Sequence, residues 1–292
     1  MSLLVIGSLN VDTLANVDRL PQPGETIHAN RVFKQFGGKG ANQAMAACRL
    51  GAPVSMLGCV GEDASGAEYV AYLNRAGVDT SYIMPQACPD GTGSAFINVD
   101  SQGENTIVVN PGANGMVSPS VLQLASGAFE EASWILMQLE IPRETVVAAG
   151  RQAAERGIPV ILNPSPFPED FPWGAFPIHT LIVNASEAAL LEESSDQKAL
   201  GMIENLVITR GGKPTQCHGG GRFVEVKTKA VTPVDTVGAG DAFAGAYAVA
   251  MMEKKGIQEA LQFANTAGAL ATQKAGAQAS LPLRAEVDAF FG

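Results

Sequence analysis

Thr232-Pro233-Val234-Asp235-Thr236-Val237-Gly238-Ala239-Gly240-Asp241-Ala242-Phe243-Ala244-Gly245-Ala246 is the stretch on which the reading of this chain turns. A tight glycine turn opens a run of small and apolar residues that reads as a buried helix, and from Gly238 onward its one charged residue is Asp241. Glycines let backbone N–H groups approach a ligand closely, and a helix N-terminus adds unpaired donors and the positive end of a dipole. An anion fits there. Asp241 cannot itself hold that anion, because like charges repel, but it can take a proton from a group that attacks it. The plainer alternative is an acid that only complements the helix dipole. A glycine turn alone does not separate the two.

The rest of the chain narrows the choice. Its 292 residues suffice for one large α/β domain. Hydrophobic residues make up 46% and charged residues 16%, which argues for a well-buried core and against disorder. The formal net charge is −10 with no Lys/Arg cluster, so a nucleic-acid-coating surface is not expected. Cys48, Cys59, Cys88 and Cys217 lie far apart, without the spacing of a metal site, and read as free thiols in a reducing compartment. No run of about 18 apolar residues suggests a membrane span. A cytoplasmic protein with no membrane or nucleic-acid partner is the expectation.

Leu3 to Asn10 begins as a short continuous apolar run, the mark of a strand buried on both faces, and it leads into Asn10-Val-Asp12. Phe36-Gly-Gly38-Lys39-Gly-Ala-Asn42 is a second glycine turn opening a helix, which Gly51 stops. No Ser/Thr follows Lys39, so it is not a P-loop, and neither a Rossmann fingerprint nor a nucleophile elbow occurs. Further on, strands ending in polar residues alternate with helices: Trp134 to Glu140, Pro159 to Asn163, Leu181 to Asn184, then Glu187, and Leu206 to Thr209 before Gly211. Such alternation predicts a mostly parallel sheet covered by helices on both faces, an α/β three-layer sandwich. The stretches at about 12–36 and 91–111 break the pattern with short, exposed, antiparallel strands, and read as a small separate sheet placed over a site as a lid. In a parallel sheet the polar strand ends share one edge. Asn10, Asp12, Glu140, Asn163, Asn184, Glu187 and Thr209 therefore converge on one crevice, although each taken singly is ordinary turn or cap chemistry.

Asn10-Val-Asp12, Gly37-Gly-Lys-Gly-Ala-Asn42, Gln138-Leu-Glu140, Asn163-Pro, Asn184-Ala-Ser-Glu187 and Asp235-Thr-Val-Gly-Ala-Gly-Asp241 stand in the order and spacing of the ribokinase-like (phosphofructokinase-B) sugar kinases, and the chain resembles that family over essentially its whole length. The likeness is greatest to its ribose-phosphorylating branch, through Gly37 to Ala44 and Pro111-Gly-Ala-Asn114.

The resemblance implies a single ribokinase-like domain over 1–292 with a β lid. It implies that Asp241 is the base that deprotonates the acceptor hydroxyl, and that Gly238, Ala239 and Gly240 form an anion hole for the transferred phosphoryl group. Asn10, Asp12, Gly38, Lys39, Asn42 and Glu140 would bind the sugar. Asn184, Glu187, Thr209, Gly211 and Asn265 would lie on the ATP side, with Glu187 towards Mg2+. Asp235, with backbone carbonyls near Val237, Lys274, Gly276 and Ser280, would form a site for a monovalent cation such as K+. The implied activity is ATP-dependent phosphorylation of the primary hydroxyl of D-ribose by a homodimer joined through the lid. Another sugar, a nucleoside packed by Ile27, Phe33, Ile97 and Val109, and a non-catalytic sugar-binding protein are the alternatives. The chain departs from the family pattern in a short segment from Glu192 to Asn205 and in Pro214, both on the nucleotide side.

Overall fold

The computed structural model describes residues 2–168, 170–194 and 200–291. The chain opens with β1 (Ser2–Ile6), β2 (Asn10–Asn16), β3 (Arg31–Gly37), α1 (Lys39–Arg49), β4 (Val54–Gly61), α2 (Ala64–Arg75) and β5 (Asp79–Gln86). Then come β6 (Ser94–Val99), β7 (Asn105–Asn110), a 3-10 turn (Gly112–Met116), the short helices α3 (Pro119–Leu124) and α4 (Ser126–Glu131), β8 (Ala132–Gln138), α5 (Arg143–Glu155) and β9 (Val160–Asn163). β10 (Ile178–Asn184), α6 (Ala185–Ser194), β11 (Ile203–Arg210), β12 (Lys213–Gly219), β13 (Arg222–Val226), α7 (Ala239–Met252), α8 (Ile257–Ala271) and α9 (Arg284–Phe291) follow.

The main sheet has the order β13-β12-β11-β10-β9-β8-β1-β4-β5. Its strands from β11 to β5 pair in parallel, while β12 turns back antiparallel on β11 and β13 on β12. Leu3, Leu4, Val5 and Ile6 of β1 are all inaccessible to solvent, as expected for a strand covered on both faces. Leu3 and Val5 enter a core shared with α1, α7 and α8, including Met45, Tyr247 and Leu261. Leu4 and Ile6 enter a second core shared with α3, α4 and α5, including Leu122, Phe129 and Val146. These two cores are the two interlayer spaces of the expected sandwich. Among the described residues no helix is long and apolar enough to cross a membrane, and all four cysteines are free.

A separate sheet of order β3-β2-β6-β7 combines the two irregular stretches. β2 pairs antiparallel with β3 and β6 with β7, while β2 and β6 join the two hairpins in parallel. A tight turn at 100–103 joins β6 to β7: the Asp100 carboxylate accepts from the N–H groups of Gln102 and Glu104, and Gly103 takes a positive φ of 85°.

The structure corrects several sequence expectations. The first core strand stops at Ile6, so Asn10 and Asp12 belong to β2 of the small sheet and not to the end of β1. Between the small sheet and β8 the chain forms two short helices divided at Ala125 instead of one long one. β5 and β12 carry too many exposed and polar positions to stand out as apolar runs in the sequence. Pro214 is the second residue of β12; part of the short 192–205 segment lies outside the described residues.

One contact sets the distance between α1 and α7. A Cβ on Gly245 of α7 would stand 2.7 Å from Ala46 Cβ and 2.8 Å from the Gln43 carbonyl oxygen of α1. The hydrogen in place of a side chain brings the two helix backbones together. Gly245→Val is expected to cost about 2–3 kcal/mol through overpacking and to separate the helices. Urea unfolding is the measurement: an unchanged midpoint would mean that α1 and α7 tolerate a wider spacing.

Candidate active site

The site lies where α1 and α7 begin. Both helices are preceded by a glycine at positive φ, 87° at Gly38 and 78° at Gly238, and neither has a side-chain cap. Gly38 is also required by space, since a Cβ there would lie 2.7 Å from the Asn10 amide nitrogen. The two helix ends nevertheless differ. At α1 the first N–H groups are taken: Lys39 N–H donates to Glu140 Oε2 at 3.0 Å, Gly40 N–H to Ser8 Oγ at 3.3 Å and Ala41 N–H to the Ser8 carbonyl at 2.9 Å. At α7 only Ala239 is engaged early, through a long 3.3 Å bond to the Thr236 carbonyl, and Ala242 N–H closes back on Gly238. The N–H groups of Gly238, Gly240 and Asp241 have no partner among the described residues, and the space beside Gly240 is open. The N–H groups of Gly238, Gly240 and Asp241 are thus open, while that of Ala239, also expected in the anion hole, makes only the long bond to Thr236.

Asp241 sits in the first turn of α7 with 7% of its surface exposed. Asn42 Nδ2 donates to its Oδ2 at 2.9 Å and Gln43 Nε2 to its Oδ1 at 2.9 Å. Burial raises the Asp241 pKa above the carboxylate norm, opposed by the Lys39 charge and by these two amide bonds. Such a group can receive a proton from a hydroxyl beside it while the open helix end holds an anion.

Around it stand the other polar residues expected at the site. Glu140, just past β8, is anchored through its Oε2 by Ser8 Oγ at 2.5 Å and by Lys39 N–H. Asn10 is fixed by Asn114, whose Nδ2 donates to Asn10 Oδ1 at 2.7 Å while its own Oδ1 accepts from Leu9 N–H at 2.8 Å. Asp12 is buried, and its pKa is raised to about 7, first by burial and then by the negative charge of Glu140, against a backbone hydrogen bond from Ala95. Asp12 Oδ1 and Asn42 Oδ1 are buried with no hydrogen-bond partner. Buried polar atoms are normally paired, so two such acceptors beside a buried carboxylate mark a surface built for hydroxyl donors.

Asn184 and Thr209 pair in register on β10 and β11, so they and Glu187 share the predicted sheet edge. Asn184 and Glu187 form a capping box at the start of α6: Asn184 Oδ1 accepts from the N–H groups of Ser186 and Glu187, and Glu187 Oε2 accepts from Asn184 N–H at 2.8 Å. Thr209 Oγ1 donates to the Val183 carbonyl, and Gly211 makes the turn into β12 at a φ of 60°. Asn265 is buried on α8 with both ends of its amide engaged, by Thr215 Oγ1 and by the Val226 carbonyl. Asp235 clasps two loops, its Oδ1 accepting from Val237 N–H and its Oδ2 from Gly276 N–H. In the same loops the Lys274 ammonium turns away to Glu286 and Ser280 Oγ donates to the Ala277 carbonyl. Among the described residues no cluster of three His, Cys, Asp or Glu side chains could hold a metal unaided.

Ser8, Gln43, Gln138 and Asn114 were not singled out as site residues from the sequence. Asn114 stood in a quoted motif, and Gln138 in Gln138-Leu-Glu140. Gln43 likewise stood in the quoted motif Gly37 to Ala44, but its part on the buried face of α1 makes sense only once α7 is packed against it.

The chain matches the model of the pfkB family of carbohydrate kinases over residues 1–284. It is 39% identical to the ribokinase of Bacillus subtilis over 293 residues, covering 98% of each chain. It is 36% identical to that of Haemophilus influenzae, covering 98% of this chain and 96% of the relative. The structure of Arabidopsis thaliana ribokinase complexed with ribose and ATP superposes with a TM-score of 0.88 at 31% identity, covering 99% of this chain and 98% of that one.

Asp12 carries a stability consequence with a definite sign. Its folded pKa of about 7 lies above the ordinary 3.8, so its contribution favours folding fully below pH 3.8 and is lost as pH rises through 7. Asp12→Asn is therefore expected to melt a few degrees above the wild type at pH 8, with the gap closing towards pH 4. Calorimetry across that range checks it; an Asn variant less stable at pH 8 than the wild type would contradict the assignment.

Proposed function

We propose that this chain, which belongs to the pfkB family of carbohydrate kinases, transfers the terminal phosphoryl group of ATP to the primary hydroxyl of D-ribose. The observation that carries the reading is the pairing of buried Asp241 with the open N-terminus of α7. Phosphoryl transfer needs little covalent help from a protein, and positioning with charge stabilisation dominates. Asp241 takes the proton of the attacking hydroxyl. The Gly238–Gly240 turn, with the Asp241 N–H, meets the charge on the transferred group; one such donor is typically worth about 10²–10³ in rate.

Asn10, Asp12, Gly38, Lys39, Asn42 and Glu140 hold the sugar, with the orphaned oxygens of Asp12 and Asn42 accepting from its hydroxyls. A ligand lacking a matching hydroxyl would leave those acceptors unpaired and be rejected. Asn184, Glu187, Thr209, Gly211 and Asn265 serve the nucleotide side, and Mg2+ arrives with ATP. The hard oxygen donors of the Asp235 loop suit an alkali cation. Its carboxylate oxygens, each bound to one N–H group, keep lone pairs for K+. Bound there, K+ would stiffen the turn that leads to Gly238.

The small sheet is the lid of a single domain, and we propose that it also joins two copies. Phe96 and Val108 are directly paired, share one face of that sheet with Val32, and are each more than half exposed. Apolar surface of this kind marks an interaction site.

ADP release with MgATP, measured against ribose, deoxyribose, fructose, tagatose and nucleosides with and without K+, tests the substrate and the cation together. The expected result is a K+-dependent preference for ribose; a clear preference for another acceptor would move the specificity to that compound. Asp241→Asn is expected to lower turnover by at least the 10²–10⁴ that a positioned base typically contributes, while sugar binding measured calorimetrically stays nearly intact; wild-type turnover would exclude Asp241 as the base. Sedimentation velocity should show a dimer, shifted towards monomer by Val108→Glu. A monomeric wild type would remove the lid contact.

A further inference from the structure

Behind Asp241 a chain of amides, half-buried at Asn163 and buried at Gln43 and Gln138, crosses from the sheet to α1. Asn163, at the end of β9, donates through Nδ2 to the Ile182 carbonyl of β10 at 2.9 Å. Its Oδ1 accepts from Gln43 Nε2 at 3.2 Å. Gln43 Oε1 accepts from Nε2 of Gln138, at the end of β8, at 2.6 Å. The second hydrogen of Gln43 Nε2 is left for Asp241 Oδ1. Gln43 and Gln138 are both inaccessible to solvent.

We propose that Gln43 is a positioning residue for the phosphoryl-transfer reaction: it fixes the rotation of the Asp241 carboxylate, Asn163 decides which way its amide faces, and Gln138 holds it there.

The direction of the chain follows from its fixed end. The Ile182 carbonyl can only accept, so Asn163 must turn its NH2 towards β10 and its oxygen towards Gln43. Gln43 must then present its NH2 to Asn163, and the same nitrogen faces Asp241. Gln138 follows that direction by donating to Gln43 Oε1; its own Oε1 is buried with no partner, so the fixed end of the chain is Asn163. A flipped Gln43 would set its oxygen against Asn163 Oδ1 and the Asp241 carboxylate, three acceptors without a donor. Asp241 therefore receives an N–H on each oxygen, from Gln43 on Oδ1 and from Asn42 on Oδ2. Two donors at fixed positions hold the carboxylate plane and favour its ionised form, the form that can take a proton. Asn42 has an orphaned oxygen left for the sugar, whereas every polar atom of Gln43 is spent inside the protein. Gln43 thus acts on the base alone, which separates it from the sugar-binding residues. The carboxylate's other neighbours do not replace it: Lys39 and Glu140 act on Asp241 through their charges, of opposite sign, and hold none of its oxygens.

This inference rests on the reading of Asp241 as the base of a sugar kinase, and it is tested by the pH dependence of kcat in Gln43→Met, of similar size but without donors. Losing one donor destabilises the ionised carboxylate, so the acid limb of kcat should move to higher pH. At neutral pH kcat should fall by about 10–100-fold, the scale of a misplaced reacting group, with partial recovery at alkaline pH and a sugar KM within about threefold of wild type. Gln43→Glu, which sets a second acid against Asp241, should move the limb further in the same direction. An acid limb at the wild-type pH in active Gln43→Met would overturn the proposal, because a merely structural role lowers the amount of folded enzyme without moving that limb. If Gln43→Met does not fold, Gln138→Met keeps Gln43 but leaves its Oε1 without a donor, so Asn163 alone holds the amide, and a smaller shift of the same sign is expected; an unmoved limb there overturns it equally. Absence of phosphoryl transfer by the wild type would instead count against the kinase reading.

Discussion

A carboxylate taken out of water must be met by hydrogen-bond donors or take up a proton. That constraint governs the centre of this molecule. Asp241 is buried because α7 is buried, and α7 is buried because it packs on α1 with no side chain at Gly245 to hold the helices apart. The close approach brings Asn42 and Gln43, neighbours on α1, within reach of the two oxygens of Asp241. The strand ends contribute at one remove: Gln138 and Asn163 orient Gln43, and Glu140 anchors the start of α1.

The two glycine–helix turns look alike in sequence and do different work. At α1 the free N–H groups are consumed by Glu140 and Ser8, so the helix end serves as a fixed support. At α7 they are left largely open beside the buried acid. The helix dipole is present at both ends, and the difference is whether anything in the fold already fills the donors. Tyr69 makes a further tie: its hydroxyl donates to the Gly37 carbonyl at the end of β3 and accepts from Gln278 in the loop that also carries Gly276. The small sheet is thereby linked to the loops held by Asp235.

The cost of this arrangement appears at Asp12. Its carboxyl is buried near Glu140, has one oxygen unpaired, and is pushed towards neutrality. A site that minimised its own free energy would place an amide or an apolar residue there. Keeping an acid is the pattern expected where binding a hydroxyl-rich ligand sets the choice and stability is given up for it.

Much of this was legible in the chain. The continuous apolar strands, the alternation with helices, the two glycine turns and the two irregular stretches led to a mostly parallel sheet with a small separate one, because burial on both faces and tight turns leave direct compositional marks. The acids and amides of the candidate site were legible as polar residues beside buried strands and at a glycine–helix turn, although Asn10 and Asp12 proved to lie in β2 and not at the end of β1. What sequence could not decide was which donors were already spent. Of the two glycine–helix turns, it did not show that the donors at α1 are taken by Glu140 and Ser8 while those at α7 stay largely open. It passed over Gln43, because a glutamine on a helix face shows nothing of the carboxylate that another helix, about 200 residues later, will set against it. Local sequence determines which elements form and which faces they bury. Hydrogen-bond partners of buried polar groups are settled by residues remote in the chain, so only the tertiary structure could assign them.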